Sequence, residues 1–402
     1  MKQSYIVLRG TPADPNHRGS RGPGQPRSRG PGIQTASIGD VTDLRTDIEV
    51  LDENERQDLF DDPDVLTTAP TDGPLKLIEP FAATTPAGMA APASAVPWGL
   101  EAVGAPDSLS TGRGIRVAVL DTGIDLRHPA FMPLLQQQRI VVRNFTDGLP
   151  TDVRDTHGHG THCAGIIAGG EVGGQRIGVA PGIERLIVGK VLGIGGGSNA
   201  ALDAAIQWAW AEGADIISMS LGIDFPGMVE RLHQEGRIAP LAVTSQALTQ
   251  YRDTIDLFNA LAGYMEKKNV LLIAATGNES NRPAYTIDVT PPAASEHVLK
   301  VGAIGLDGGA YRIAHFSNTG ANFVAPGVNI LSAGANGALV PLSGTSMATP
   351  HVAGVAALWA ERIKNVRGEV RIDELREELQ RSALRLDGRR SDLGSGLVRA
   401  PD

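Results

Sequence analysis

Only one cysteine, Cys163, occurs in 402 residues, so no disulfide can form within this chain. A single thiol suits a reducing compartment but does not exclude export. No stretch approaches the roughly 18 consecutive apolar residues of a membrane span, and no membrane partner is expected. The opening residues Met1 to Gly10 hold too short an apolar run before Arg9 for a secretory signal; a cytoplasmic location is favoured, with export by another route left open. The chain also lacks an overall basic balance, carrying a net charge of −9. Its one basic stretch, His17 to Gly32, is short and has no aromatic residue, so it reads as a solvated segment and no nucleic-acid partner is expected.

What is present is enough apolar residue, 42%, for a large core, and the length fits one domain of about 300 residues plus an extension. Charge divides unevenly: residues 1–32 carry about +5, residues 33–97 about −10, and the remainder about −4. Ser4–Leu8 and Leu75–Glu79 read as short strands and Asp52–Asp64 as an acidic amphipathic helix, a small α+β module with a Gly/Pro/Arg interruption; a disordered extension with transient helix is the alternative. Phe81–Pro97, rich in Ala, Thr and Pro, reads as an exposed linker. From Trp98 onward, apolar runs at 114–120, 186–191, 215–219, 270–275 and 298–303 alternate with helical patterns at 160–169, 200–212 and 254–268, and 371–382 closes the chain as a helix. Strand alternating with helix implies an α/β fold in three layers, with a mainly parallel central sheet covered on both faces. Functional residues then belong at the carboxyl edge of the strands, where Asp121 falls.

The chemistry concentrates in three stretches. Ser343-Gly-Thr-Ser346-Met-Ala-Thr-Pro-His-Val-Ala-Gly-Val-Ala-Ala-Leu358 places Ser346 in the first turn of a helix, whose free N–H groups and positive dipole end face any anion formed there. Pro350 is early enough to be tolerated. A serine hydroxyl needs a base to take its proton and a third group to orient that base. Val117-Ala-Val-Leu-Asp121-Thr-Gly-Ile-Asp125 ends a buried strand on a carboxylate, and His157-Gly-His159-Gly-Thr-His162-Cys-Ala-Gly165 is a histidine turn running into a helix.

With Asp, His and Ser in that chain order, the sequence resembles the subtilisin-like serine proteases from about Trp98 to the C-terminal region. The resemblance implies a serine endopeptidase that forms an acyl-enzyme on Ser346, with His159 as general base and Asp121 orienting it. Asn278, in Ala274-Ala-Thr-Gly-Asn-Glu279, matches the family's oxyanion asparagine, acting with the Ser346 N–H. Ser218, Ser220, Leu221 and Gly222, and across from them Gly195, Gly196 and Gly197, resemble the two edges that bind an extended peptide by strand addition. The partition implied is 1–97 as an N-terminal extension, expected to be an inhibitory propeptide, and 98–402 as the catalytic domain. A peptide or protein substrate, the chain's own propeptide and a monomeric state are the partners expected.

His157, His162 and His351 are expected to be structural, and no metal site is assigned, because His-x-His-x-x-His has no further ligands. Cys163 is expected to serve packing. No cofactor is required, and calcium is left possible. Calcium-binding relatives carry an Asp after His-Pro and an Asn-rich loop after the histidine helix; His128-Pro-Ala130 and Glu171-Val-Gly-Gly-Gln-Arg-Ile177 offer neither, so the tight calcium site is expected to be absent. Two other readings share the motifs: a peptide transamidase or macrocyclase using the same triad, and a non-enzymatic binding module of the same fold. Asp224 to Gln250 is surplus to the family pattern. Its Pro226, Gly227, Gly236 and Pro240 should break it into short pieces forming either a partial lid or a surface elaboration.

Overall fold

The computed structural model describes residues 2–12, 41–82, 96–236 and 239–402. The extension contains β1 (Gln3–Pro12), β2 (Val41–Leu51), α1 (Glu53–Leu59), β3 (Val65–Pro70), β4 (Leu75–Leu77) and β5 (Phe81–Ala82). There follow α2 (Trp98–Val103), β6 (Arg116–Asp121), α3 (Met132–Gln136), β7 (Ile140–Asn144), α4 (His159–Ala168), the hairpin β8 (Glu171–Val172) and β9 (Gln175–Arg176), β10 (Arg185–Lys190), α5 (Asn199–Ala211), β11 (Ile216–Met219) and β12 (Leu221–Ile223). The remainder is α6 (Phe225–Gly236), α7 (Pro240–Lys267), β13 (Leu271–Ala275), β14 (Val298–Asp307), β15 (Ala310–Ile313), β16 (Phe323–Pro326), β17 (Ile330–Ala333), β18 (Leu339–Ser343), α8 (Thr345–Arg367), α9 (Ile372–Ser382) and α10 (Arg390–Leu393).

The central sheet runs β15-β14-β13-β11-β6-β10-β7, with β16 also on β14, and only the β14–β15 pair is antiparallel. Its middle strands are apolar on both faces, as burial from two sides demands. One face packs against α4 and α8 in a cluster that includes Val117, Val119, Ile167 and Val352, and the other against α5 and α7 through Ala118, Leu120, Ile206 and Leu261. This is the three-layer α/β architecture expected.

The extension is folded in its described part. Asp52 accepts N–H groups from Asn54 and Glu55 while Glu55 returns to the Asp52 N–H, a capping box that starts α1. β1 lies between β2 and β3, and Ile6, Leu8, Leu66 and Ala69 pack on Leu257 and Ala260 of α7. A disordered extension is thus overturned for these residues. The strands β2 and β3 were not anticipated, because β2 pairs to β1 across residues 13–40, a stretch outside the described residues. Likewise the expected linker begins with β5, which pairs with β18, whereas residues 83–95 lie outside the described residues.

The surplus segment is also more regular than expected. It forms α6 and the first 11 residues of a 28-residue α7, with Phe225 edge-on to Tyr251 at 5.5 Å. Pro226, Gly227 and Pro240 fall in first turns, where a proline costs no helical hydrogen bond. Composition indicated breaks at these three residues where the chain places helix starts, whereas Gly236 is the last residue of α6.

Candidate active site

Asp121 is the last residue of β6 and His159 the first of α4, so both stand at the carboxyl edge of the sheet. Gly158 precedes His159 with φ 92°, a left-handed turn that favours glycine, and a side chain on Gly160 would lie 2.3 Å from the Gly123 carbonyl. The turn is held by Asp155: its Oδ1 accepts the N–H groups of His157 and Gly158 and the Thr122 hydroxyl, and its Oδ2 accepts the N–H and hydroxyl of Thr161. These hydrogen bonds outweigh burial and hold the Asp155 carboxyl below its usual pKa. Sequence reading passed over Asp155; its place two residues before His157 was the one available sign.

His159 Nδ1 lies 2.8 Å from Asp121 Oδ1, both fully buried. Donation from Nδ1–H to the carboxylate leaves Nε2 as the basic nitrogen, and Nε2 has no protein partner among the described residues. Burial opposes a charge on the ring, yet the adjacent Asp121 carboxylate overcomes it and holds the His159 pKa well above its ordinary value. Cys163, one turn along α4, sits with Sγ 3.8 Å from Nδ1 and 3.4 Å from the Ser346 carbonyl oxygen.

Ser346 is the second residue of α8, after Gly344 and Thr345. A side chain on Gly344 would come within 2.9 Å of Asn278 Nδ2, so the glycine permits that approach. Asn278 Oδ1 accepts the N–H and hydroxyl of Thr345, which fixes the amide so that Nδ2 faces the cleft.

The cleft holds the chain's own extension. β4 pairs antiparallel with β12, matching Leu221 to Leu77, Gly222 to Lys76 and Ile223 to Leu75, while on the opposite side Gly197 N–H donates to the Leu75 carbonyl at 2.9 Å. Leu75, Leu77 and Ile78 are buried, and each such side chain contributes about 1.5–3 kcal/mol when fully removed from water. Immediately beyond, the Ser346 hydroxyl donates to the Ile78 carbonyl at 3.0 Å and Asn278 Nδ2 to the Glu79 carbonyl at 2.9 Å. The two groups therefore reach two successive carbonyls, and the Ser346 hydroxyl is engaged with Ile78 instead of His159. Pro80 follows, then β5 on Ser343 and Leu342.

The remaining expected residues divide. Leu221 and Gly222 lie in β12; Gly197 contacts the strand, and a side chain on Gly196 would meet the Leu75 carbonyl at 2.6 Å. Among the described residues, nothing lies within 4 Å of where a Gly195 side chain would be. The Ser220 hydroxyl donates to the Ser346 carbonyl, and Ser218 is buried within β11 between β6 and β13. His162 Nε2 lies 3.0 Å from the carbonyls of Ile330 and Val340, and burial lowers its pKa to about 3. His351 Nδ1 lies 2.8 Å from the Met347 carbonyl, and burial lowers its pKa to about 4.

The loop after α4 does not fit calcium. Ala130 is apolar and buried, and Arg176 donates from Nε to the Gly178 carbonyl at 2.9 Å and from Nη2 to the Val179 carbonyl at 2.8 Å. A guanidinium fixed on those two carbonyls places a positive charge where a divalent ion would need their oxygens.

Comparison with known proteins agrees with this geometry. The model of the subtilase family matches residues 112–397. An intracellular serine protease of Paenibacillus polymyxa is 38% identical over 65% of this chain and 72% of its own length. The major intracellular serine protease of Bacillus subtilis (strain 168) is 35% identical over 76% of this chain and 89% of its own. Subtilisin Savinase of Lederbergia lenta is 34% identical over 77% and 98%. A match this long, to relatives named as proteases, favours hydrolysis over transamidation or binding alone: the chain belongs to the subtilase family and is a serine endopeptidase.

Proposed function

We propose that residues 98–402 cleave peptide bonds through an acyl-enzyme on Ser346, and that residues 1–97 are an inhibitory propeptide whose own strand fills the cleft. Ser346 Oγ attacks the carbonyl carbon as its proton passes to His159 Nε2, while Asp121 keeps the ring in the tautomer that can accept it. The oxyanion is held by Asn278 Nδ2 and the Ser346 N–H, the latter in the first turn of α8 where backbone donors lack helical partners. The C–N bond then breaks, His159 returns the proton to the amine, and water resolves the ester. Substrate lies between Ser220 with the adjoining Leu221 and Gly222 of β12 on one side and the strip Gly195–Gly197 on the other.

The observation that carries this reading is β4 in strand pairing with β12, with its following carbonyls on Ser346 and Asn278. A peptide so placed is bound as substrate would be, yet the carbonyl at the Asn278 amide belongs to the residue after the one at the Ser346 hydroxyl, which explains how the chain can hold its own segment uncut. No organic cofactor takes part in these steps. A location inside the cell is supported by the two relatives named as intracellular.

The test compares the full chain with Ser346→Ala. The unaltered chain should label with a fluorophosphonate, hydrolyse casein and shorten itself within the segment 81–97. Ser346→Ala should do none of these, and equal trimming of that variant in a host-protease-free preparation would refute self-processing.

A further inference from the structure

The strand in the cleft carries a charge that meets an opposite charge on the catalytic domain. In β4 the side chains alternate: Leu75 and Leu77 are buried, while Lys76 between them points outward. Its Nζ lies 2.9 Å from Asp224 Oδ2. Asp224 follows β12 directly and is the first residue of the surplus segment. It is well fixed, since its Oδ1 accepts the Gly227 N–H at 3.2 Å, its carbonyl accepts the Met228 N–H at 2.9 Å, and its own N–H donates to the Pro74 carbonyl at 3.3 Å. The start of α6 thus presents a carboxylate to whatever residue stands opposite Gly222.

Any peptide that adds to β12 in this register places one side chain at that point, two residues before the residue whose carbonyl meets Ser346. Resting on the reading that β4 occupies the substrate's place, we propose that Asp224 selects substrates with Lys or Arg at the third residue before the cleaved bond. The pair is partly exposed, with side-chain accessibilities of 58% for Lys76 and 29% for Asp224, so its contribution is small. Exposed pairs favour the matched charge by up to about fivefold, and replacing the cation by a carboxylate adds repulsion, so a three- to tenfold contrast between Lys and Glu is expected. Because exposed charges are screened, the contrast should shrink in roughly 1 M salt, where the Debye length falls to about 3 Å.

The test is a competition in one tube between the anilides of acetyl-Leu-Lys-Leu-Ile and acetyl-Leu-Glu-Leu-Ile, using the full chain. The ratio of their consumption rates gives the ratio of kcat/KM whatever fraction of the chains is open. The unaltered protein should consume the Lys peptide three- to tenfold faster. Asp224→Asn keeps the acceptor for Gly227 and should bring the ratio near one, and Asp224→Lys should invert it. Turnover with the same ratio in all three proteins would overturn the proposal and leave the protease reading standing. No turnover of either peptide, with no fluorophosphonate labelling, would overturn the catalytic reading and this proposal with it.

Discussion

Arg56→Met should open the cleft without touching it. Arg56 projects from α1 and is 6% exposed; its Nη2 lies 2.7 Å from Asp253 Oδ2 on α7, its Nε donates to the Thr68 hydroxyl at 2.9 Å, and its guanidinium lies 5.0 Å from the Tyr5 ring centre. The Asp253 contact is close without being an aligned hydrogen bond, so it acts chiefly as charge against charge. Burial raises the Asp253 pKa and Arg56 pulls it back. Removing one partner of a buried pair costs about 3–5 kcal/mol. With the Asp253 side chain still 15% exposed, the lower value, about 3 kcal/mol, is appropriate. That cost falls on the docked state alone, because undocking returns Asp253 to water, and it corresponds to about a 150-fold weaker hold of the extension. Hydrolysis of a small peptide anilide by freshly purified full chain should therefore start faster in Arg56→Met. The gain should diminish at acid pH, where the lone Asp253 is protonated and its burial no longer penalised. Arg56→Met/Asp253→Leu, an apolar replacement of the whole pair, should restore the slow start. Equal initial rates for Arg56→Met and the unaltered chain would refute the claim that this contact holds the extension down.

Asn278→Ala should fold normally, which thermal unfolding would check, and lose about 10²–10³ in kcat, the cost known for removing this donor from subtilisin itself and not a value worked from these distances. A near-normal rate would sink the oxyanion assignment. Because Asp121 raises the His159 pKa despite burial, the base is freed at higher pH than an ordinary histidine would be, and kcat/KM should climb as pH rises through that titration. A profile flat from pH 5 to 8 would contradict that. His159→Ala and Ser346→Ala should each remove most activity, and the double variant should lose little more, because the residues act as one unit; additive losses in kcat would argue against a shared step.

The catalytic domain was legible because its chemistry is written locally. Asp121 ends an apolar strand, His159 opens a helix after glycine and Ser346 opens another, and each placement follows from periodicity and turn residues within a dozen positions. Parallel order of the strands followed from their alternation with helices. The extension was only half legible. Its helix showed through the acidic amphipathic pattern that begins at Asp52, whereas β2 and β3, whose partner is β1 across a long separation, gave little sign, since pairing at a distance leaves no local periodicity beyond that of an ordinary exposed segment. Pro226 and Pro240 were read as breaks, because composition alone does not say whether a proline falls inside a helix or at its start.

What sequence determined was which residues can do the chemistry; what tertiary structure decided was where their reactive atoms point. The motifs could not say that the Ser346 hydroxyl bonds to Ile78, that Asn278 bonds to Glu79, or that Lys76 faces Asp224. Those contacts join residues 148 to 268 positions apart, and they exist because the apolar pair Leu75 and Leu77 is buried where β4 pairs with β12, which fixes the register of everything beside it.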